Sequence, residues 1–132
     1  MKRIGVVVAV EINSVLRKYG LPQEEVFENG FKVNIYKNDA FCMYVIDAGA
    51  GEISSAISTQ YLITKYNCEI IVNFGVVGAL TAESKVAELC IVEKVIHYDF
   101  DTTGWLNLKT GQYPNHNSEY MNTDELLFEK CP

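Results

Sequence analysis

Residues 3–10, Arg-Ile-Gly-Val-Val-Val-Ala-Val, form an almost unbroken apolar and largely β-branched run. A strand with one face in water alternates apolar and polar side chains. A continuous run suits a strand covered on both faces, as in a parallel or mixed sheet. Parallel neighbours need long crossover connections, usually helices. This one segment therefore biases the chain towards an α/β fold. Lys2 and Arg3 before it give a superficial likeness to a secretory leader, but Glu11 interrupts the apolar stretch and no small-residue cleavage site follows. The segment is expected to be a buried first strand.

The rest of the chain continues the alternation. Asn13 or Ser14 is expected to cap a short helix containing Val15, Leu16 and Tyr19, which Gly20 and Pro22 stop. Residues 31–36 alternate as a half-exposed strand should, 37–39 read as a turn, and 41–46 pair back as a more buried strand. A glycine-containing bend at 47–51 leads into a helix over 52–66 whose apolar side is expected to be Ile53, Ala56, Ile57, Tyr61 and Ile63. Asn67 suits a left-handed terminator. Residues 69–74 predict another buried strand and 88–96 a further one. The stretch 97–122 is polar, aromatic and turn-rich, as a surface loop would be. Asn122, with Glu125 three residues on, predicts the cap of a helix over 123–130. The pattern predicts an α/β fold, in one domain over 1–132. That fold is expected to be incomplete on its C-terminal side, since Leu126, Leu127 and Phe128 need a surface and no strand follows.

Composition excludes several functions. The 132 residues carry a net charge of −6 with no Lys/Arg cluster, a poor match to nucleic acid, whose phosphates need positive charge. No apolar run approaches the ~20 residues that span a bilayer. Cys42, Cys68, Cys90 and Cys131 lack the spacing of a zinc or redox motif and read as reduced thiols of a cytoplasmic protein. His97, Asp99 and Asp101 stand at alternate positions, a weak metal pattern that no second cluster completes. Neither a metal nor a cofactor is expected. A nucleophile elbow, a P-loop lysine and a dinucleotide fingerprint are all missing.

Chemistry in open α/β sheets gathers at the carboxyl ends of the strands. Three predicted strand ends carry suggestive residues: Ala9-Val10-Glu11, Asp47-Ala48-Gly49-Ala50-Gly51, and Asn73-Phe74-Gly75-Val76-Val77-Gly78. Glycines let backbone approach a ligand and expose amide donors, although tight strand-to-helix bends use them equally. Glu11, directly after a buried strand, is a natural seat for a general base with a raised pKa, or simply an acidic helix-start residue.

Taken in order, IGVVVAVE, DAGAGEISSAIST, EIIVNFGVVGALT, KVAELCIVEKVIHYDFDTT and GQYP resemble the purine and uridine nucleoside phosphorylase superfamily, most of all its 5′-methylthioadenosine/S-adenosylhomocysteine nucleosidases. The resemblance covers nearly the whole chain. It implies a three-layer α/β/α fold with a central mixed sheet, a homodimer or higher homo-oligomer, and a small nucleoside as partner. It also implies cleavage of an N-glycosidic bond through an oxocarbenium-like transition state, with one group protonating the base and another activating the nucleophile. By this resemblance Val77 and Gly78 are adenine-side candidates. Val76 stands where the family usually has Ser or Thr. Ala9 and Val10 line the first strand end, Ala50 contacts the 5′ substituent, and Thr102 and Trp105 line the same 5′ region. Pro114 falls in a segment that reaches a neighbour's site in dimeric members.

The chain departs from the family at two places. A gapless match puts Asn13 where the water-activating glutamate belongs, so Glu11 takes that role only if the loop is shortened. The segment carrying the ribose-binding Met-Glu motif and the proton-donating aspartate has no counterpart in these residues, so the chain alone is expected to be inactive. Asn73 replaces an arginine that holds phosphate in hexameric phosphorylases, which favours hydrolysis. Two rivals stand beside the nucleosidase reading: a phosphorylase or futalosine-type hydrolase, and a degenerate, non-catalytic nucleoside-binding or interaction module.

Overall fold

Strand β1 (Lys2–Val8) is the axis of a five-stranded mixed sheet in the computed structural model, which describes residues 1–130. Cys131 lies outside the described residues. The sheet order is β2 (Glu24–Glu28), β3 (Phe31–Lys37), β4 (Phe41–Asp47), β1, β5 (Ile70–Phe74). β1 runs parallel to both β4 and β5, whereas the β2–β3 and β3–β4 pairs are antiparallel. The polypeptide divides into two compact units, Met1–Gly78 and Ala79–Pro132.

In the first unit the pleat of β1 sends its side chains to two separate cores, as period-2 alternation requires. Val7 joins Val33, Ile35, Cys42, Ile46, Leu62 and Cys68 beneath helix α2 (Glu52–Tyr66). Val6 and Val8 join Val15, Tyr36, Met43 and Val45 beneath helix α1 (Ile12–Tyr19). One helix on each face of the sheet is the three-layer α/β/α arrangement that the family resemblance implies. Asn67 ends α2 with φ 51°, the left-handed conformation expected of it. Arg3 ties the start of β5 to β1: its carbonyl accepts from Glu69 N at 2.9 Å and its Nε donates to Asn67 O at 3.0 Å.

Several local expectations are corrected. α1 begins one residue after Glu11, not behind Asn13 or Ser14, and no side chain caps it. The core face of α2 carries Ser58 and Leu62, while Ile53 is 72% exposed and Ile57 and Ile63 are also exposed. Apolar residues occur on both sides of this helix, so periodicity alone could not select the buried one. β5 is an edge strand whose residues 72–74 are exposed, not a buried strand. β2 was not foreseen. It is joined to β3 through Asn29 (φ 53°) and Gly30 (φ 83°), both left-handed as a two-residue hairpin turn demands.

The second unit contains a short antiparallel pair, β6 (Lys94–Ile96) and β7 (Tyr120–Asn122), and helix α3 (Glu125–Glu129). Pairing limits β6 to three residues, because β7 offers only three partners; the strand expected over 88–96 is otherwise irregular and exposed. Asn122 is therefore a strand residue, and the helix cap is Asp124, whose Oδ1 accepts from Leu127 N at 2.9 Å. Phe100 and Tyr113 stack at 4.4 Å between centroids, 14° from parallel. Gly111 is buried with φ 83° and donates to Phe100 O at 2.7 Å; a β-carbon there would stand 2.7 Å from Ile96 Cγ1.

Candidate functional site

The three suggestive strand ends finish at one level of one sheet edge. Val8, the last residue of β1, pairs with Asp47 of β4 on one side and with Phe74 of β5 on the other. Ala48 N donates to Val8 O at 2.8 Å, so the chain after β4 stays tied to the β1 tip before turning away. Parallel register forces this outcome: strands entering the sheet in the same direction deliver their carboxyl ends together. Ala9, Val10 and Glu11, then Ala50, then Val76, Val77 and Gly78 all follow these tips. The glycines flanking Ala50 have φ 72° (Gly49) and 111° (Gly51), which the bend before α2 requires. Ala50 is exposed, and Val76 and Val77 are each 81% exposed, so solid side-chain packing does not fill the edge.

Glu11 is the most engaged side chain there. Its Oε2 accepts from Val10 N and its Oε1 from Val76 N, both at 3.0 Å. Two backbone amides from different strand ends thus share one carboxylate. These bonds, first from Val10 and then from Val76, lower the Glu11 pKa below the ordinary glutamate value and outweigh the opposing effect of burial. The raised pKa expected of a general base is corrected accordingly. A carboxylate with both oxygens engaged by amides is a poorer proton acceptor than a free one. Asn13 is exposed on the first turn of α1.

Thr102 and Trp105 belong to the second unit. They share a turn in which Thr102 O accepts from Trp105 N at 3.0 Å and from Leu106 N at 2.9 Å. Trp105 is 93% exposed, and Thr102 Oγ1 is buried without a hydrogen-bond partner. Pro114 is exposed beside Tyr113. His97 is held from both ring nitrogens, Nδ1 at 2.6 Å from Tyr113 OH and Nε2 at 3.0 Å from Asp99 Oδ1. Asp101 instead accepts from Thr103 N at 2.9 Å. Among the described residues no group of three or more His, Cys, Asp or Glu side chains is arranged to hold a metal ion. Gly75 stands at a suggestive strand end but has no role of its own in the sequence reading. Its missing β-carbon leaves room for Glu11, since a Cβ there would stand 3.3 Å from both carboxylate oxygens.

A family profile described as the phosphorylase superfamily matches residues 3–127. The chain belongs to the phosphorylase superfamily. Among relatives of this superfamily member, a 5′-methylthioadenosine/S-adenosylhomocysteine nucleosidase of Staphylococcus haemolyticus is 36% identical over 80 residues, 61% of this chain and 35% of that protein. A nucleosidase of the same description from Colwellia psychrerythraea is 25% identical over 126 residues, 95% of this chain and 51% of its own length. The crystal structure of the Helicobacter pylori 5′-methylthioadenosine/S-adenosyl homocysteine nucleosidase superposes with a TM-score of 0.89 at 21% identity, over 97% of this chain and 55% of that one. The chain of this superfamily member thus spans between about a third and a half of the two relatives' lengths. No helix among the described residues is long and apolar enough to cross a membrane.

Proposed function

We propose that this chain is the nucleoside-binding N-terminal part of a nucleosidase acting on 5′-methylthioadenosine or S-adenosylhomocysteine. Residues 1–132 would form part of one nucleoside phosphorylase-like domain, within a cytoplasmic homodimer or higher homo-oligomer that works in purine and methionine salvage. The observation that carries the reading is the common level of the β1, β4 and β5 tips. That register supplies an exposed edge with Ala50 and backbone at 75–78 free of bulky packing, which suits a flat purine and its sugar. Val77 and Gly78 would face the base, and Ala9, Val10 and Val76 would line the sugar side. Ala50 would serve the 5′ group.

Hydrolysis of an N-glycosidic bond needs an acid at the departing base and a group that activates water. Asn13 cannot act as that base, and the amide-bound Glu11 is poorly suited to it. The chain by itself is therefore proposed to bind nucleosides without turning them over, with the remaining groups supplied from outside these residues. Asn73 and the carboxylate of Glu11 both disfavour phosphate as nucleophile, which supports hydrolysis over the phosphorylase reading.

The test is calorimetric binding of 5′-methylthioadenosine to the 132-residue chain, together with an adenine-release assay on the chain and on the native gene product, with and without phosphate. Saturable binding, no release by the chain, and phosphate-independent release by the native product are expected. Absence of binding to both proteins would overturn the reading.

A further inference from the structure

We infer that Glu11 is a built-in anion: its carboxylate fills the donor site between the tips of β1 and β5 and thereby excludes inorganic oxyanions such as phosphate, making it a specificity-determining residue of the strand-tip site. The inference deepens the nucleosidase reading and rests on it for the identity of the site; the occupancy of the amides stands on geometry alone.

Amide groups converging from a strand end and a helix start are how proteins commonly cradle phosphate. Here Val10 N, at the turn between β1 and α1, and Val76 N, two residues past β5, face a single carboxylate-sized space. That space is occupied by Glu11, each oxygen taking one amide at 3.0 Å. Two facing N–H groups thus serve an internal ligand of the charge that an external oxyanion would have.

Two further features fit this role. Gly75 leaves the volume that the carboxylate uses, since any β-carbon there would crowd both oxygens at 3.3 Å. Glu11 is also the residue immediately before α1, yet no side chain caps that helix. An acidic residue at this position would ordinarily serve the helix's own first-turn amides. Its use across to the β5 end instead joins two residues, Glu11 and Val76, that are 65 apart in sequence. An incoming phosphate would find its donors already bonded and a like charge in place. A neutral water or a nucleoside hydroxyl meets no such repulsion.

The experiment is an amide-resolved NMR titration of the 132-residue chain with inorganic phosphate, at constant ionic strength and with chloride as the control. The wild type, Glu11→Ala and the near-isosteric Glu11→Gln are compared, with no nucleoside present. Wild type is expected to show no saturable shift at Val10 or Val76. Glu11→Ala is expected to show saturable shifts at both, with apparent affinity at least ~10-fold higher, as two freed amides and the loss of a like charge imply. Glu11→Gln, which keeps the volume and loses the charge, should fall between them. Saturable phosphate shifts at these amides in wild type would overturn the inference. So would their absence in a variant whose β1 and β4 amides retain native dispersion. Failure of nucleoside binding would defeat the functional reading and leave this result intact, because phosphate is the only probe.

Discussion

Gly5 of β1 lies directly against Leu62 of α2. A β-carbon on Gly5 would stand 3.0 Å from Leu62 Cδ1, 2.7 Å from Ile71 Cδ1 and 3.2 Å from Cys68 Sγ. Leu62 is fully buried, so its tip has no free direction in which to retreat. Gly5→Ala is expected to destabilise the first unit by about 1–3 kcal/mol, the usual range for overpacking, despite the entropy that alanine removes from the unfolded chain. Denaturant melting checks this. Combining Gly5→Ala with Leu62→Ala should cost less than the sum of the two, because the second change vacates the space the first demands.

The faces of α2 give a second expectation. Leu62→Ala should cost about 2–5 kcal/mol, as deletion from a packed core does. Ile53→Ser should stay within about 0.5 kcal/mol, because an exposed side chain loses little. Read from the sequence alone, Ile53 looks like the core residue. Melting curves showing the larger loss for Ile53→Ser would reverse the packing described for this helix.

Much of this architecture could be read from the chain, and the failures share a cause. The apolar run of β1, the bounds of α2 and the left-handed Asn67 are local signals, set by side-chain shape and backbone preference within a few residues. The buried face of α2 is not local: Ser58 and Leu62 are core because of where the sheet lies, and a helix with apolar residues on both sides leaves that choice to tertiary packing. β2 was missed although Asn29-Gly30 between Phe27 and Phe31 is a strong hairpin signal; the charged Glu24, Glu25 and Glu28 obscured it. At the site, the glycine-bearing strand ends were evident, but their common level came from sheet order. The Glu11–Val76 bond spans 65 residues, and no local pattern encodes it.

Ser58 supplies a third expectation. It is fully buried on α2, and its hydroxyl has no hydrogen-bond partner. A buried polar group without a partner costs stability rather than adding it. Ser58→Ala should leave stability unchanged or raise it, by up to about 1–3 kcal/mol. A clear loss in thermal melting would mean that the hydroxyl has a partner after all.

The acid limb of stability should report on Glu28. Lys65 Nζ lies 2.8 Å from its carboxylate and Tyr61 OH donates to it at 3.1 Å. The bond from Lys65, followed by that from Tyr61, holds the Glu28 pKa below its ordinary value, and Glu28 in turn raises the pKa of Lys65. A carboxylate lowered by folding stabilises above its unfolded pKa, and that contribution disappears as pH falls through the folded one. The raised lysine contributes below its own unfolded pKa and loses that contribution as pH rises through the folded value. The pair therefore helps between the two limits and at neither extreme. Glu28→Gln should flatten the acid limb of a stability–pH profile by the same small amount by which it lowers neutral stability, since exposed pairs contribute weakly.

The alkaline limb depends on buried phenols and a thiol. Burial pushes both Tyr44 and Tyr66 up to about 12, with Cys42 adding to the shift at Tyr44 and Tyr61 adding to it at Tyr66. Burial, with a smaller contribution from Cys42, pushes Cys68 up to about 11. The two rings also pack on each other, with centroids 4.5 Å apart. All three groups favour the neutral form in the folded state. Between their unfolded values and these raised ones the unfolded chain holds fewer protons, so stability falls as pH rises through that window. An absorbance titration of the phenolates should show two tyrosines ionising late and together with unfolding. Replacing both Tyr44 and Tyr66 with Phe should remove that late step and extend the folded range upward. The same burial predicts thiol order: in a Cys131→Ser background, exposed Cys90 should react with a disulfide reagent well before buried Cys42 and Cys68. Early modification of Cys68 in the folded protein would contradict its place beneath α2.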